Sequence, residues 1–239
     1  MRISRVYLPQ KLQGTGTVVI DGETAHYLSR VLRLGVGDLF NVFNDNDGEF
    51  CAEVIDADRK KITARLVNTV SNEANPALLI NLGLGLSKGE RMDWAIQKST
   101  ELGVGTITPL FTSRCEVRIS KERLPRKIEH WQKVAISASE QCGRSNTPSI
   151  CPPLDLGAWL NLHQTGIVLD HRGTEKLDRL TLENEVNLLI GPEGGLSEAE
   201  LDQAIQHQFS AVRLGPRILR TETAPVVALS LIQHLFGDI

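Results

Sequence analysis

A chain of 239 residues suffices for one large domain or two ordinary ones. Hydrophobic residues at 41% and charged residues at 23% are ordinary for a packed protein and exclude global disorder. No apolar stretch approaches the roughly 18 residues that cross a bilayer, and the net charge of −3 argues against bulk nucleic-acid affinity.

The first seventy residues read as a small β-rich unit. Val6-Tyr7-Leu8 and Thr17-Val18-Val19-Ile20 are short strand candidates. From Glu23 to Arg33 a helical period places Ala25, Leu28, Val31 and Leu32 on one face. Strand-like runs follow at Leu39–Phe43, Phe50–Ile55 and Ile62–Val70. Asn44-Asp45-Asn46-Asp47-Gly48 between the first two is a strong hairpin signal. Strands at this spacing suggest a small barrel. The polar run Ser71-Asn72-Glu73-Ala74-Asn75-Pro76 reads as the domain boundary, dividing the chain into 1–72 and 73–239.

Beyond it strands and helices alternate. The apolar strand Leu78–Leu86 precedes a helix over Glu90–Leu102, then a strand at Thr106–Leu110. A long helix over Ser120–Cys142 carries a break expected near Pro125. Ile167–Leu169 and Val186–Ile190 are buried strand candidates, followed by a helix from Ser197 to Gln208 and a short strand Val212–Leu214. The final helix, Ala224–Phe236, is apolar on nearly every side, which predicts burial all round, partly by a second subunit. The alternation implies an α/β fold with a parallel sheet covered by helices.

Ligands of open parallel sheets bind at the carboxyl ends of the strands. Three such ends are unusual here. The first is Leu169-Asp170-His171-Arg172-Gly173. The second, Ile190-Gly191-Pro192-Glu193-Gly194-Gly195-Leu196, opens a helix marked by a capping box, Ser197 with Glu200. It lacks the Lys-Ser/Thr of a phosphate loop, and its spacing alone fits a tight turn as well as a ligand loop. The third, Leu214-Gly215-Pro216-Arg217-Ile218-Leu219-Arg220-Thr221-Glu222-Thr223-Ala224, concentrates Arg217, Arg220 and Glu222 just after a strand. A surface loop with a structural Arg–Glu pair is the alternative.

Charge is also local. Residues 1–33 carry Arg2, Arg5, Lys11, Arg30 and Arg33 against Asp21 and Glu23, and residues 114–133 hold a surplus of four positive charges. These could be phosphate footprints or ordinary solvated charge. Cys51, Cys115, Cys142 and Cys151 form no CxxC pair and read as reduced, partly buried thiols, and the six histidines show no zinc spacing. No metal is expected. The first residues, Met1-Arg2-Ile3-Ser4-Arg5, lack the apolar run of a secretory signal, so a cytosolic protein is expected.

The two C-terminal motifs, Gly191-Pro192-Glu193-Gly194-Gly195-Leu196-Ser197 and Leu214-Gly215-x-Arg217-Ile218-Leu219-Arg220-x-Glu222-Thr223-Ala224, resemble those of the RsmE-type ribosomal RNA small-subunit uracil-N3 methyltransferases of the SPOUT superfamily. His26-Tyr27-Leu28 with Val31-Leu32-Arg33, Lys98 with Glu101-Leu102-Gly103, Ser113-Arg114 and Glu140-Gln141-Cys142-Gly143-Arg144 fit the same pattern, so the likeness spans the chain. It implies a PUA-like RNA-binding β-barrel at the N-terminus and a SPOUT-type α/β domain with a C-terminal trefoil knot. It implies a homodimer, S-adenosyl-L-methionine as cofactor, and methylation of N3 of uridine 1498 in 16S rRNA within the small ribosomal subunit.

On that resemblance the cofactor would be held by Leu169, Asp170, Gly191, Pro192, Glu193, Gly194, Gly195, Leu214, Gly215, Ile218, Leu219, Arg220 and Thr223. Uracil N3 carries a proton, and its loss spreads negative charge onto the neighbouring carbonyl oxygens, so the reaction needs a base and a cation. Arg220 is assigned as the cation, Glu222 as the base or the group orienting Arg220, and Glu193 as the second candidate base. Arg2, Arg5, His26, Arg30 and Arg33 would contact RNA from the N-terminal unit, and Arg114, Arg118 and Arg144 from the remainder.

Overall fold

The computed structural model describes residues 3–58, 60–70 and 78–239. The boundary read at 71–76 and the candidate Arg2 therefore lie outside the described residues. The chain divides into two compact units, Met1–Asn75 with Ser139–Thr147, and Pro76–Ala138 with Pro148–Ile239.

The first unit is built on five strands, β1 (Arg5–Tyr7), β2 (Thr17–Asp21), β3 (Leu39–Asn44), β4 (Gly48–Ala57) and β5 (Lys61–Val70), in the order β1-β3-β4-β5-β2. Only β1 with β3 is parallel. Period-2 alternation sends Ile62, Ala64 and Leu66 of β5 into a core with Val18, Ile20, Phe40, Val42 and Val54. The β3–β4 hairpin closes as its sequence predicts: Asn44 Oδ1 accepts from the main-chain N–H of Asn46 (3.0 Å) and Asp47 (2.6 Å), and Gly48 takes a φ of +84°. Between β2 and β3 the single helix expected over Glu23–Arg33 is instead α1 (Gly22–His26) followed by a π-helical turn, Tyr27–Val31. The wider turn rotates the face. Ala25 and Leu28 are buried, but Val31 is 62% exposed, contrary to the 3.6-residue reading.

The second unit holds a wholly parallel sheet. Its strands are β6 (Leu79–Gly85), β7 (Thr106–Phe111), β8 (Ser149–Ile150), β9 (Leu154–Asp155), β10 (Gly166–Leu169), β11 (Glu185–Ile190) and β12 (Phe209–Val212). The order is β12-β10-β11-β6-β7-β8, with β9 also on β7. The helices are α2 (Glu90–Glu101), α3 (Leu124–Cys142), α4 (Leu156–Leu162), α5 (Glu198–Gln206) and α6 (Thr223–Phe236), with a 3-10 turn at Leu177–Arg179. Ile80, Leu82, Leu84, Leu188 and Ile190 of the central strands are buried with Met92, Ile96, Leu229 and Ile232 of the helices. This two-face burial explains why these strands read as continuous apolar runs rather than alternating ones.

Two further sequence expectations change. The helix α3 starts at Leu124, four residues late, because Pro125 then falls in the first turn, where a missing N–H costs nothing; no break follows. The strand read at Val212–Leu214 lies at Phe209–Val212, which releases Arg213 and Leu214 to the loop after it. Within a single chain helix α6 leaves Leu231 and Leu235 39% and 42% exposed, the side on which a second subunit is expected. The capping box of α5 forms as read, with Ser197 Oγ accepting from the Glu200 N–H and Glu200 Oε2 accepting from the Ser197 N–H at 2.9 Å.

Candidate functional site

The carboxyl ends of β10, β11 and β12 open into one cavity of about 380 Å³, within the usual range for small-ligand sites. Its lining comes from the three loops singled out in the sequence, together with Arg91 from the first turn of α2. Leu169, Ile190, Leu196, Val212, Leu214, Ile218 and Leu219 make it apolar, while Arg91, Arg213, Arg217 and Arg220 give it a cationic complement. Ile218 is 83% exposed, an apolar side chain that folding alone leaves uncovered.

The glycine loop is positioned by close backbone packing. A Cβ on Gly85, the last residue of β6, would lie 2.3 Å from Pro192 N and 2.7 Å from the Gly191 carbonyl carbon. Gly85 therefore lets β6 and the loop interlock. Gly195 has a φ of +66° and its N–H donates to Pro192 O at 2.8 Å, closing the turn. The loop after β7 is tied down from the other side. Ser113 donates its N–H and hydroxyl to Glu200 at 2.6 and 2.8 Å, and Arg114 Nη1 donates to Gly194 O at 3.1 Å. Burial pushes the Glu200 carboxyl up, but the donors from Ser113 and Ser197 more than offset it and hold it below the ordinary value.

The carboxylates divide by role. Asp170 is nearly sealed from solvent and takes the main-chain N–H, Nε and Nη2 of Arg172, each at 2.8 Å. Burial raises the Asp170 carboxyl, and Arg172 brings it back below the usual range. Asp170 thus braces its own loop. Glu193 Oε1 accepts from the Lys88 N–H at 3.2 Å and from Arg91 Nη1 at 3.3 Å. Glu222 is the residue preceding α6, and its side chain makes no capping hydrogen bond. Arg220 is exposed, and no ion pair within 4.0 Å joins it to Glu222 among the described residues. The alternative of a structural Arg–Glu pair in this loop is not what forms.

Of the residues assigned to the cofactor, Leu169, Asp170, Gly191, Pro192, Glu193, Gly195, Leu214, Gly215, Ile218, Leu219 and Arg220 line the cavity, while Gly194 and Thr223 do not. Gly194 instead faces Arg114, whose Cβ would be 3.0 Å from a Cβ placed there. Thr223 begins α6, its N–H donating to Arg220 O at 2.9 Å. His171, Ile190 and Leu196, within the loops singled out in the sequence but not assigned to the cofactor, also line the cavity, and Arg91, outside those loops, is a lining residue that sequence reasoning missed. A signal for Arg91 existed: a cation in the first turn of a helix opposes the helix dipole.

The RNA candidates separate. His26, Arg30 and Arg33 are exposed on the segment after β2, Arg33 with a φ of +57°. Arg114 and Arg118 are exposed in the second unit. Arg144 is half-buried, its Nη2 3.5 Å from Asn146 Oδ1. Arg5 is a correction. Its guanidinium pairs with Glu49, donates to the carbonyls of Ser139, Glu140 and Arg144, and stacks 4.6 Å above Phe43. A guanidinium so engaged and buried is structural and cannot hold a phosphate.

The four cysteines are free thiols of intermediate exposure. No group of three or more potential metal ligands occurs among the described residues. No helix among them is long and apolar enough to cross a membrane.

Comparison with known proteins supplies the class. A family profile described as RNA methyltransferase domain matches residues 73–233, and one described as RNA methyltransferase PUA domain matches residues 20–67. The fold and site are those of an RNA methyltransferase with an N-terminal PUA unit. A ribosomal RNA small subunit methyltransferase E from Buchnera aphidicola is 38% identical, covering 100% of this chain and 98% of its own. Among solved structures, a ribosomal RNA small subunit methyltransferase E from Neisseria gonorrhoeae bound to S-adenosyl methionine superposes with a TM-score of 0.94 at 32% identity, over 100% of both chains. A putative methyltransferase from Legionella pneumophila in complex with the same cofactor gives a TM-score of 0.95 at 35% identity, again over 100% of both chains. The chain belongs to the ribosomal RNA small subunit methyltransferase E family.

Proposed function

We propose that this protein transfers the methyl group of S-adenosyl-L-methionine to N3 of a uridine in 16S rRNA, uridine 1498 by family resemblance, acting on the assembled small ribosomal subunit in the cytoplasm. The observation that carries this reading is the cavity at the ends of β10, β11 and β12: apolar walls, glycines that admit close backbone approach, and a cationic complement.

The residues present fit the cofactor. Leu169, Ile190 and Leu214 offer apolar surface to an adenine ring, and the backbone of Gly191 and Gly215 offers hydrogen-bonding groups without side chains in the way. The uncovered Ile218 gains a partner when the cavity fills. The cofactor, when bound, supplies a methyl group on a positively charged sulfur that needs no further activation. The residues of the chain therefore act on the nucleophile. The N3–H bond breaks, its proton passes to a carboxylate, and the electron pair left on N3 forms the bond to the methyl carbon while the electrons of the old bond remain on sulfur. Arg220, exposed and with no carboxylate partner among the described residues, is suited to the charge that develops on a uracil carbonyl oxygen. Of the carboxylates that line the same cavity, Asp170 is taken up by Arg172, which leaves Glu222 and Glu193 as the candidate bases.

N3 lies on the pairing edge of the base, so the uridine must be unpaired or swung out of its stack. His26, Arg30 and Arg33, with Arg114 and Arg118, would hold phosphates. The C-terminal part of the chain is read as a trefoil knot. A second copy of the chain would cover Leu231 and Leu235 on α6, giving a homodimer.

The test uses small ribosomal subunits from a strain lacking this activity, labelled S-adenosylmethionine and mass mapping of the digested 16S rRNA. One new methyl group on N3 of one uridine is expected. Label on another base, or on tRNA, overturns the reading.

A further inference from the structure

We infer that Arg91 is a second substrate-contacting cation, and that with Glu193 it forms a donor–acceptor pair reading the carbonyl and N3–H edge of the target base. The inference rests on the uracil-N3 reading above.

Arg91 stands in a local electrostatic conflict. Arg91 is in the first turn of α2, where the unsatisfied N–H groups make the field positive and favour anions; Glu90 and Asp93 of the same turn obey that rule. Arg91 breaks it, and such breaches concentrate at functional positions. Its side chain does not simply escape into solvent. It lines the cavity and reaches Glu193, 102 residues away on the glycine loop, at 3.3 Å. The same oxygen, Glu193 Oε1, accepts the Lys88 N–H, so the main chain entering α2 fixes the carboxylate that holds the arginine. Interlocking of Gly85 with Gly191 and Pro192 fixes the two backbones against each other.

The pair is incompletely used. Among the described residues only Nη1 of the Arg91 guanidinium contacts a carboxylate, 46% of the Arg91 side chain is exposed, and both residues face the cavity. A guanidinium offers five donors in a rigid fork, and a carboxylate offers two accepting oxygens. Further donors on Arg91 and Glu193 Oε2 are therefore available, side by side, to an incoming edge that presents an acceptor next to a donor. Uracil presents that edge: a carbonyl oxygen beside N3–H. Cytosine does not, because its N3 carries no hydrogen and would set a lone pair against the carboxylate. A site built to satisfy a hydrogen-bonding edge rejects the base that lacks it strongly, because its own groups are left unpaired. The same contact strengthens during reaction, since charge moves onto the carbonyl oxygen as N3 loses its proton.

The experiment measures single-turnover methyl transfer to unmethylated small subunits for wild type, Arg91→Ala and Arg91→Lys across neutral to alkaline pH, beside cofactor affinity and melting temperature. At saturating cofactor, Arg91→Ala is expected to lower the rate about 10²-fold at neutral pH. The deficit should shrink at alkaline pH, where free N3–H ionises unaided. Arg91→Lys, a cation without the fork, should recover part of the rate. A pH-independent deficit, or a loss confined to subunit KM with the maximal rate intact, assigns Arg91 to structure or to a phosphate and overturns the inference. An unchanged rate does the same. A wild-type product methylated elsewhere than uracil N3 would sink the functional reading itself, and is recognised separately by mass mapping.

Discussion

Arg5 Nη2 lies 2.7 Å from Glu49 Oε2, and the two side chains are only 9% and 6% exposed. Asn41 and Ser145 add donors to the same carboxylate, which burial raises and Arg5 lowers further, so that it stays ionised below its ordinary range. Removing one member of a buried pair strands the other in a low-dielectric site. Arg5→Ala is expected to cost about 3–5 kcal/mol in a denaturant melt.

Gly85→Ala tests the interlock of β6 with the glycine loop. The added methyl meets backbone atoms of Pro192 and Gly191 that cannot rotate away. We expect a loss of about 1–3 kcal/mol, the usual cost of overpacking. Cofactor affinity, read by calorimetry, should fall more than stability does, because the displaced backbone is the cavity wall.

Arg220→Ala should lower turnover by about 10²–10³-fold, as loss of one charge-stabilising donor typically does. The residue is exposed and pairs with no carboxylate among the described residues, so the melting temperature should not move. Turnover near that of wild type removes Arg220 from the mechanism.

Acid should loosen the second unit through Glu200 and Asp170. Both carboxyls are depressed in the fold, so their contribution is complete above the unfolded carboxylate values near about pH 4 and is lost as pH falls through the lower folded values. Glu140, pushed up by burial, has the opposite sign: its protonation favours the fold. Glu200→Gln should cost about 1 kcal/mol at neutral pH. It should also flatten the acid limb of a melting-temperature profile. An unchanged limb would assign acid sensitivity to other groups.

RNA binding should weaken steeply with salt. Replacing Arg30 or Arg33 by Ala should reduce the slope of log affinity against log salt by about one each. A flat response in the parent protein would remove these residues from the phosphate footprint.

The sequence by itself determined what is local. Period-2 and continuous apolar runs placed the central strands β6 and β11, turn chemistry closed the β3–β4 hairpin, and Ser197 with Glu200 marked the start of α5. Motif spacing also marked the three loops that line the cavity. It failed where partners are distant in sequence. Strands of two residues such as β8 and β9, and the seven-residue α4, are too short to show a period. The π-helical turn shifts a face that a 3.6-residue period assumes fixed. Nothing next to Arg5 or Arg91 in the sequence marks its partner, yet one is sealed against Glu49, 44 residues away, and the other reaches into a cavity beside Glu193, 102 residues away. Only tertiary packing decides between such fates, because the environment of a charge is set by whichever segments fold around it.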